Sequence, residues 1–489
     1  MFNVPNYRSR TINNLPVNLN GSYILYWMIA NRRVQWNFSL DMAIMWAQEL
    51  GKPLIILEAL RVGQQWACER FHNFVLDGMN DNRKSLEGTG VYYYPYMETH
   101  LNAGKGLLKE LSKKACIIIS DFFPSFFLPK MVASASSRVF CRMDEVDSNG
   151  LLPLFKTHEV FANAFSFRRY LQKELPKYIL EAPSSAPLIY RKLTPFENIP
   201  RRILELWPPV DPAFLDQPNR DLSRLPLNHE VKTVSKRGGP VAAAKALDSF
   251  INERLSKYVS GRNHPDIHAT SGLSPYLHWG HISAHQIFWS LMNSNNWTPD
   301  RISAKTDGKR NGWWGASENV EAFLDELITW REIGYNMCSL RKDFQAYESL
   351  PEWALQTLSK HENDEREYLY EIDVLERAQT HDQIWNAAQN ELLITGSIHN
   401  YLRMLWGKKI LEWTASPKRA IEIMIELNNK YALDGRNPNS YSGVFWIFGR
   451  YDRPWGPERS IFGKIRYMSS KRTFDKLKME SYLKAYQAS

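Results

Sequence analysis

The sequence predicts two domains of different class: an α/β domain with a parallel sheet, followed by a mainly α-helical domain. Its 489 residues exceed what a single hydrophobic core usually organises. Residues 1–182 alternate short apolar runs with amphipathic segments, which is the pattern of strands alternating with helices. From Val241 onward the apolar residues follow a helical period with short breaks.

Four strands and three helices are predicted to alternate within residues 1–182. Right-handed crossovers between consecutive strands would give a parallel, Rossmann-like sheet. The strands are predicted at Ser22–Met28, Pro53–Leu57, Gly90–Tyr96 and Cys116–Ser120, and the helices at Phe38–Leu50, Arg70–Asn80 and Leu107–Ser112. The sequence has no GxGxxG or GxxxxGKS/T run, so neither of these phosphate-binding loops is expected.

Residues 183–240 are predicted to form a proline-rich interdomain linker that wraps over the surface. Ten prolines lie in this stretch, and proline excludes long regular helices because it removes a backbone donor. Residues 241–489 then form the helical domain. Helices are predicted there at Ala242–Lys257, His281–Asn293 and Asn319–Leu340.

Composition narrows the class of protein. A hydrophobic fraction of 44% with 23% charged residues is typical of soluble globular chains. No apolar run approaches the ~20 residues of a membrane span. The N-terminus lacks an apolar signal core, so we expect a cytoplasmic protein, or a nuclear one in a eukaryote. The four cysteines are far apart in sequence and fit a reducing compartment, with no metal site.

Positive charge is concentrated near the C-terminus. The net charge is +9, and residues 428–489 contain twelve lysines and arginines against five acidic residues. Large aromatic residues are mixed with these cations. Cations attract phosphates and aromatic rings stack on exposed bases, so the region favours contact with nucleic acid. The alternative is a solvated basic tail.

Three tryptophans are spaced along two short predicted helices. Trp385 lies in the first helix, and Trp406 and Trp413 lie in the second, seven residues apart. Seven residues make two helical turns, or about 10 Å, so both indoles would share one face. A Thr-Gly-Ser break separates the helices, with Ser397 as the predicted N-cap. Aromatic residues at this spacing are often core packing; a path for electrons is the other interpretation.

The run TSGLSPYLHWGHIS (residues 270–283) combines hydroxyls, a glycine and a predicted helix start. Ser274 precedes a proline, which suits an N-cap followed by the first helical position. Hydroxyls and glycine before a helix N-terminus also make a good phosphate site. The sequence alone leaves both interpretations open, a phosphate site and a plain helix cap.

Charged residues also occur among apolar neighbours. Glu332 lies in a segment predicted to be one helix over Glu321–Cys338, where it is either surface charge or a buried proton-handling group. Arg403 and Asp434 lie in YLRMLW and YALDGRNPNSYSG. Buried charges of opposite sign normally pair. Such a pair could flank a planar cofactor or serve as a structural salt bridge.

Taken together, these motifs resemble the photolyase/cryptochrome flavoproteins, most of all class II cyclobutane pyrimidine dimer (deoxyribodipyrimidine) DNA photolyases. The resemblance covers about residues 242–483 and rests on TSGLSPYLHWGHIS, THDQIWNAAQ, HNYLRMLWGKKILEW, LDGRNPN and IFGKIRYMSSKRTFD, in that order. The N-terminal region resembles the family more weakly, through YWMIANRRVQWN. The chain departs from the class II pattern at His399-Asn400 and in the run Ile447–Tyr451.

The resemblance implies a light-driven DNA repair enzyme. Its helical domain would bind FAD, and an electron would pass to a pyrimidine dimer flipped out of double-stranded DNA. A monomer without membrane contact is expected. A second, antenna chromophore of the deazaflavin or folate type is left open. Two alternatives remain: a cryptochrome-like blue-light photoreceptor, and a flavoprotein acting on another lesion such as the (6-4) photoproduct.

The resemblance also implies roles for individual residues around the cofactor. Arg403 and Asp434, with Gly435 beside them, would be the salt bridge against the isoalloxazine, and Asn428 would face a flavin ring nitrogen. The FAD phosphates and ribityl chain would be held by Tyr258, Thr270, Ser271, Leu273 and Ser274.

Further roles concern the substrate and the electron path. Glu332 would hydrogen-bond the dimer, and Met404 and Trp446 would line its pocket. Arg453 and Arg466 would meet the DNA backbone or fill the gap left by the flipped bases. Photoreduction of oxidised flavin would run through Trp406, Trp385 and Trp413.

Overall fold

The computed structural model of the protein describes residues 4–189 and 193–487. These residues form two compact units, each assembled from separate stretches of chain. The first unit contains the residues up to His158, together with Leu175–Leu247 and Leu273–Asn293. The second unit contains Glu159–Glu174, Asp248–Gly272 and the residues from Ser294 onward.

The first unit is built on a six-stranded sheet with the order β1-β6-β5-β2-β3-β4. Its strands are β1 (Ser9–Thr11), β2 (Tyr23–Met28), β3 (Leu54–Leu60), β4 (Tyr92–Met97), β5 (Ala115–Asp121) and β6 (Arg142–Val146). Strands β2 to β6 pair in parallel, and β1 pairs antiparallel with β6. The predicted fold class, a parallel α/β sheet, is confirmed.

The two strands that the sequence did not predict are rich in charge. β6 (RMDEV) and β1 (SRT) lack the apolar runs that identify β2, β3 and β5. Their charges are paired: Arg142 Nε lies 2.9 Å from Asp144 Oδ1, and Arg10 Nη2 lies 2.9 Å from Glu145 Oε2. Pairing of this kind lets charged segments form β1, at the edge of the sheet, and β6, which lies next to it.

The α-helices are numbered along the chain, and they include short ones of a single turn. They are α1 (Phe38–Leu50), α2 (Glu69–Leu86), α3 (Leu107–Ser112), α4 (Leu128–Ser136), α5 (Ala164–Glu174), α6 (Arg201–Leu206), α7 (Pro212–Asp216), α8 (Pro240–Ser249), α9 (Tyr258–Gly261), α10 (Ser274–His278), α11 (Ala284–Ser294), α12 (Glu318–Leu324), α13 (Arg331–Leu340), α14 (Glu352–Lys360), α15 (Ile372–Glu376), α16 (Gln383–Thr395), α17 (Asn400–Glu412), α18 (Pro417–Tyr431), α19 (Pro438–Ile447), α20 (Ser470–Leu477) and α21 (Glu480–Tyr486).

The proline-rich stretch 183–240, interpreted from sequence as a linker over the surface, groups with the first unit. As predicted, it holds only short helices, α6 and α7. Several of its leucines are buried, however: Leu215 and Leu222 pack in one apolar cluster with Val75 and Leu76 of α2. Burial of these leucines makes the stretch part of that unit's core.

The second unit is helical; two local predictions need correction there, and a third in the first unit. The segment Glu321–Cys338 is interrupted by a π-helix over Asp325–Trp330 between α12 and α13. Ser397 is not an N-cap, because α17 begins after His399, whose side chain makes no capping bond. In the first unit, Ser274 is the first residue of α10 and not its cap, because Leu273 occupies the capping position.

Within the described ranges 4–189 and 193–487, no helix is both long enough and apolar enough to cross a bilayer. The same residues contain no group of three or more His, Cys, Asp or Glu side chains arranged to hold a metal ion.

Candidate functional site

The three predicted tryptophans lie in contact. Asp382 caps α16 by accepting from Ile384 N and Trp385 N, both at 3.0 Å, which fixes the start of the helix that carries Trp385. The indoles of Trp385 and Trp406 are stacked at 4°, with centroids 6.4 Å apart. Trp413 meets Trp385 edge-on at 5.7 Å. We call these three residues the tryptophan series.

The inner indoles of the tryptophan series donate to neutral oxygen atoms. Trp385 Nε1 donates to Trp406 O at 3.0 Å, and Trp406 Nε1 donates to Gln389 Oε1 at 2.9 Å. Gln389 is fully buried, and its Nε2 donates to Glu376 O at 3.1 Å, which orients the amide. Sequence reasoning missed Gln389. The available signal was its position four residues after Trp385, on the same face of α16.

Further aromatic side chains continue from Trp413 to the surface. Tyr370 and His381 lie 5.5 and 5.1 Å from the Trp413 ring, and Tyr370 Oη is 2.7 Å from His381 Nδ1. Tyr368 stacks on His381 at 3.7 Å and is 37% exposed. The sequence motifs gave no sign of this extension.

Arg403 and Asp434 form the predicted ion pair, with Arg403 Nη2 3.0 Å from Asp434 Oδ1. Both side chains are largely buried, at 22% and 11% exposure. Arg403 Nε is buried and has no hydrogen-bond partner in the described part of the chain. A buried donor of this kind is costly unless a further group meets it.

Gly435 brings the Asp434 loop against helix α18. A Cβ at this glycine would lie 2.8 Å from Asn428 O, so a side chain there would force the loop away. Asn428 is buried, and its Nδ2 donates to Ser440 Oγ at 2.6 Å. The close approach therefore brings the backbone of Asn428 against the residue that follows Asp434.

The residues predicted to hold phosphates and ribityl are divided between the two units. In the second unit, Tyr258 packs edge-on against Phe250 and Phe323, and burial raises the pKa of its hydroxyl. Arg254 Nη1 donates to Thr270 O at 2.9 Å, which anchors the start of the segment.

The remaining residues of that segment differ in exposure. Ser271, also in the second unit, is half-buried. Leu273 and Ser274 belong to the first unit, where Leu273 is buried and Ser274 is exposed at the start of α10.

Glu332 is buried in the first turn of α13. Two residues later, Gly334 lets α13 approach α19 closely, because a Cβ there would lie 2.5 Å from Ser442 Oγ and 2.9 Å from Pro438 O. The helix that carries Glu332 is thus packed against the helix that carries Trp446.

Helix α17 approaches α19 in the same way. A Cβ at Gly407 would lie 2.7 Å from Ile447 Cγ1. Met404 on α17 and Trp446 on α19 are both half-buried. Gly443, one turn before Trp446, faces open space. We call Glu332, Met404 and Trp446 the candidate lesion pocket.

Lysine and arginine side chains lie over the indoles of Trp446 and Trp455 in the second unit. Lys408 Nζ is 5.4 Å and Arg466 Cζ is 5.2 Å from the Trp446 ring centroid. Arg466 Cζ is also 4.0 Å from the Trp455 ring, and Arg453 Cζ is 4.8 Å from it. We call these five residues the cation–indole column.

Asp452 holds the column together. It accepts from Arg466 Nε at 2.9 Å and Nη2 at 3.1 Å, and from Trp455 Nε1 at 3.2 Å. Arg453 is exposed and Arg466 is half-buried. The sequence predicted both arginines as DNA contacts but missed Lys408, Asp452 and Trp455 as their neighbours.

Three curated relatives match most of the chain. The deoxyribodipyrimidine photo-lyase of Methanothermobacter thermautotrophicus is 34% identical over 477 residues, covering 97% of both chains. The enzyme of the same name from Potorous tridactylus is 32% identical, covering 93% of this chain and 80% of the relative. That of Arabidopsis thaliana is 29% identical, covering 94% and 88%. No protein-family profile matches the chain.

Solved structures share the fold. A bacterial class III photolyase from Agrobacterium tumefaciens superposes with a TM-score of 0.68 at 16% identity, covering 96% of this chain and 87% of that one. A Synechocystis cryptochrome superposes with a TM-score of 0.62 at 14% identity, covering 95% and 88%. The architecture is therefore that of photolyases and cryptochromes.

Proposed function

Because the chain belongs to the deoxyribodipyrimidine photolyase family, whose members are light-dependent DNA repair enzymes, we propose that it splits cyclobutane pyrimidine dimers in double-stranded DNA. The observation that carries the proposal is helix α17. Arg403, Met404 and Trp406 lie within one turn of it, and each belongs to a different part of the site.

The cofactor that the family implies is FAD, and residues of the second unit fit it. Arg403 offers a buried Nε without a partner beside the carboxylate of Asp434, which suits the polar edge of a planar ring. Gly435 lets the loop that carries Asp434 pack against the backbone of α18. Tyr258, Thr270 and Ser271 would hold the sugar and phosphate portion. When bound, FAD supplies the absorption of light and the electron that opens the dimer.

Asn428 would control protonation at the flavin ring. A carboxamide does not titrate, so this side chain neither takes up nor releases a proton over the working pH range. Its Nδ2 is oriented by the bond to Ser440 Oγ. A neutral polar neighbour of fixed orientation tolerates an anionic ring without protonating it.

The candidate lesion pocket would receive the flipped dimer. Met404 and Trp446 offer an apolar and stacking wall, which is how base-flipping enzymes hold an extruded base. Glu332 would hydrogen-bond the polar edge of the dimer and stabilise the charge that develops there. Packing of α13 and α17 against α19 at Gly334 and Gly407 fixes the spacing of these side chains.

DNA outside the pocket would meet the cation–indole column. Arg453 and Arg466 supply positive charge to the backbone, and Trp455 lies between them with a ring on which an unpaired base can stack. Asp452 keeps Arg466 in this orientation before DNA binds.

The tryptophan series would reduce the cofactor when it is oxidised. Trp406 would pass an electron towards the Arg403–Asp434 site, since Trp406 and Arg403 both lie on α17. Trp385 would then return an electron to Trp406, and Trp413 would return one to Trp385. Trp406 is stacked on Trp385, and Trp385 meets Trp413 edge-on, so neighbouring rings link the three residues in one path.

The test is a repair assay. Fully reduced protein is illuminated with blue light in the presence of an oligonucleotide duplex that carries one cyclobutane dimer, and intact strand is measured by chromatography. We expect restored pyrimidines in the light and none in the dark. Reduced protein that leaves the dimer unchanged would refute the proposal.

A parallel duplex with a (6-4) photoproduct tests the other lesion. The run Ile447–Tyr451 departs from the class II pattern directly after Trp446, so the lesion preference is measured on both substrates. Repair of the (6-4) duplex alone would reassign the substrate. Repair of neither lesion would favour a photoreceptor, the alternative suggested by the cryptochrome neighbour.

A further inference from the structure

Lys408 is a buried lysine without a carboxylate partner. It lies on α17 and is 0% exposed. Its Nζ donates to the carbonyl oxygen of Ile447, the last residue of α19. In the described part of the chain, no carboxylate lies within ion-pair distance of this ammonium.

A charge in this position is costly to keep. Removing an ammonium from water disfavours its charged form, and an apolar side chain of similar size would be cheaper. Burial lowers the pKa of Lys408 to about 7; Asp452 raises it and Arg466 lowers it, these being the charged groups that face it. The presence of a lysine at this buried position therefore calls for a functional explanation.

Three features of the surroundings favour the charged form. The carbonyl at the end of α19 is the negative end of a helix dipole, which attracts a cation. The Trp446 ring, 5.4 Å away, attracts a cation through its π-electrons. Asp452 adds its negative charge. All three lie around Trp446, and none lies near the tryptophan series.

The position of Lys408 on α17 places its side chain at the contact between α17 and α19. It follows Gly407, where α17 comes closest to α19, and it lies one turn after Met404 on the same face. Its ammonium lies beside the Trp446 ring, at the end of α19.

We propose that Lys408 is a positioning residue for lesion recognition: its ammonium ties α17 to the end of α19 and holds the Trp446 indole where a flipped dimer stacks. This inference rests on the proposed function, because it takes Trp446 as part of the lesion pocket. Lys408 acts through Trp446 and does not itself touch the substrate.

A purely structural role differs from this one in a measurable way. A structural lysine would change the stability of the fold and leave the preference for damaged over undamaged DNA as it was. A positioning role changes that preference, and it does so only while the ammonium is charged.

The experiment measures the affinity of the full chain with its flavin for two duplexes, one with a single cyclobutane dimer and one undamaged. The ratio of the two affinities is followed from about pH 6 to about pH 9, across the titration of a lysine with a lowered pKa. Using the ratio removes effects of pH on contacts with the DNA backbone. The variants are Lys408→Met, which keeps length without charge, and Lys408→Gln, which keeps a neutral donor for Ile447 O.

The matched control is Lys418→Met. Lys418 is 63% exposed and pairs with Glu348, so its replacement removes the same charge away from the pocket.

In the unaltered chain, we expect the preference for the dimer to fall as pH rises through about 7, when Lys408 loses its proton. Loss of a charged hydrogen bond and a cation–π contact should lower the preference about tenfold in Lys408→Met, with no remaining pH dependence. Lys408→Gln should recover part of the preference, again without pH dependence. Lys418→Met should behave as the unaltered chain does.

Two results would overturn the inference alone: a dimer preference in the unaltered chain that is flat with pH, which needs no variant to fold, or a Lys408→Met chain with unaltered preference and pH profile. An unaltered chain with no preference for the dimer at any pH would overturn both this inference and the proposed function.

Discussion

Two groups of tryptophans lie on and around helix α17, and the inner indoles of the first group differ from the second group in the charge of their neighbours. Trp413, the outer indole of the tryptophan series, has Lys409 Nζ 5.4 Å from its ring centroid, and that ammonium is paired with Glu412. In the tryptophan series, indole lies against indole, and the inner N–H groups donate to the neutral oxygens of Trp406 and Gln389. In the cation–indole column, Trp446 and Trp455 lie under lysine and arginine. One residue type is therefore placed in two electrostatic environments within the second unit.

The difference has a direct physical meaning. Removing an electron from an indole creates positive charge, which a nearby cation opposes and a neutral acceptor does not. A cation over an indole ring is instead attracted to the ring, and this cation–π contact holds the two side chains together. The inner indoles Trp385 and Trp406 are thus suited to giving up electrons, whereas the cation–indole column is suited to holding position and binding DNA. Variants in one group should leave the function of the other intact.

The largest effect is expected from Trp406→Phe. Phenylalanine keeps the packing but is much harder to oxidise, so photoreduction of oxidised flavin should be nearly abolished, while repair by previously reduced protein is retained. The flavin absorbance is followed under blue light with a thiol as the final reductant. Trp289→Phe, on α11 and outside the series, is the control. Unchanged photoreduction in Trp406→Phe would remove the series from the electron path.

Glu332→Ala should have the next largest effect, and this effect should be on dimer repair and not on photoreduction. Loss of one buried group that stabilises developing charge typically costs a factor on the order of 10² in rate, so repair per absorbed photon should fall steeply. Flavin content and photoreduction should stay as they were. Glu332→Gln, which keeps hydrogen-bonding capacity, should lose less. Equal repair by all three proteins would argue against the assigned role.

A smaller change is expected from Arg466→Met. The variant removes a cation from both Trp446 and Trp455, so DNA affinity should fall and the dependence of log affinity on log salt should weaken by about one unit. Titrations at several salt concentrations measure both. Arg201→Met, at an arginine that is 91% exposed in the first unit, is the charge-matched control. An unchanged salt slope would contradict the contact.

The smallest effect is expected at Gln389. Gln389→Leu removes a neutral acceptor, worth about 1 kcal/mol, from the Trp406 N–H, so photoreduction should slow by a few-fold. Gln389→Glu introduces a carboxylate that can take the indole proton once Trp406 is oxidised. Transient absorption should then show a deprotonated indole radical at Trp406. If both variants reduce flavin at the original rate, the acceptor has no influence on the path.

Much of the fold could be predicted because apolar periodicity records burial. The bounds of α1 and α3 were predicted as the structure has them, and β2, β3 and β5 are apolar runs buried on both faces. β6 could not be predicted, because it has no apolar run: Arg142 pairs with Asp144 within the strand, and Glu145 pairs with Arg10 of β1, which is distant in sequence. The π-helix over Asp325–Trp330 has no separate periodic signal.

The candidate site was predicted from ordered motifs, and its roles stay predictions. Motifs identified the Arg403–Asp434 pair and the three tryptophans, which the structure brings into contact. They did not identify Gln389 or Lys408. In sequence, the run Gly-Lys-Lys reads as exposed charge; only packing against Ile447 and Trp446 makes Lys408 a buried cation.

Gly407 lies between Trp406 and Lys408, at the point where α17 touches α19. Even one added methyl group would push against Ile447 and move both neighbours at once. Variation at this position therefore cannot adjust light-driven reduction without also adjusting damage recognition. Substitutions at Gly407 should therefore change photoreduction and damage recognition together. Substitutions at Trp406 or at Lys408 should change one of the two alone.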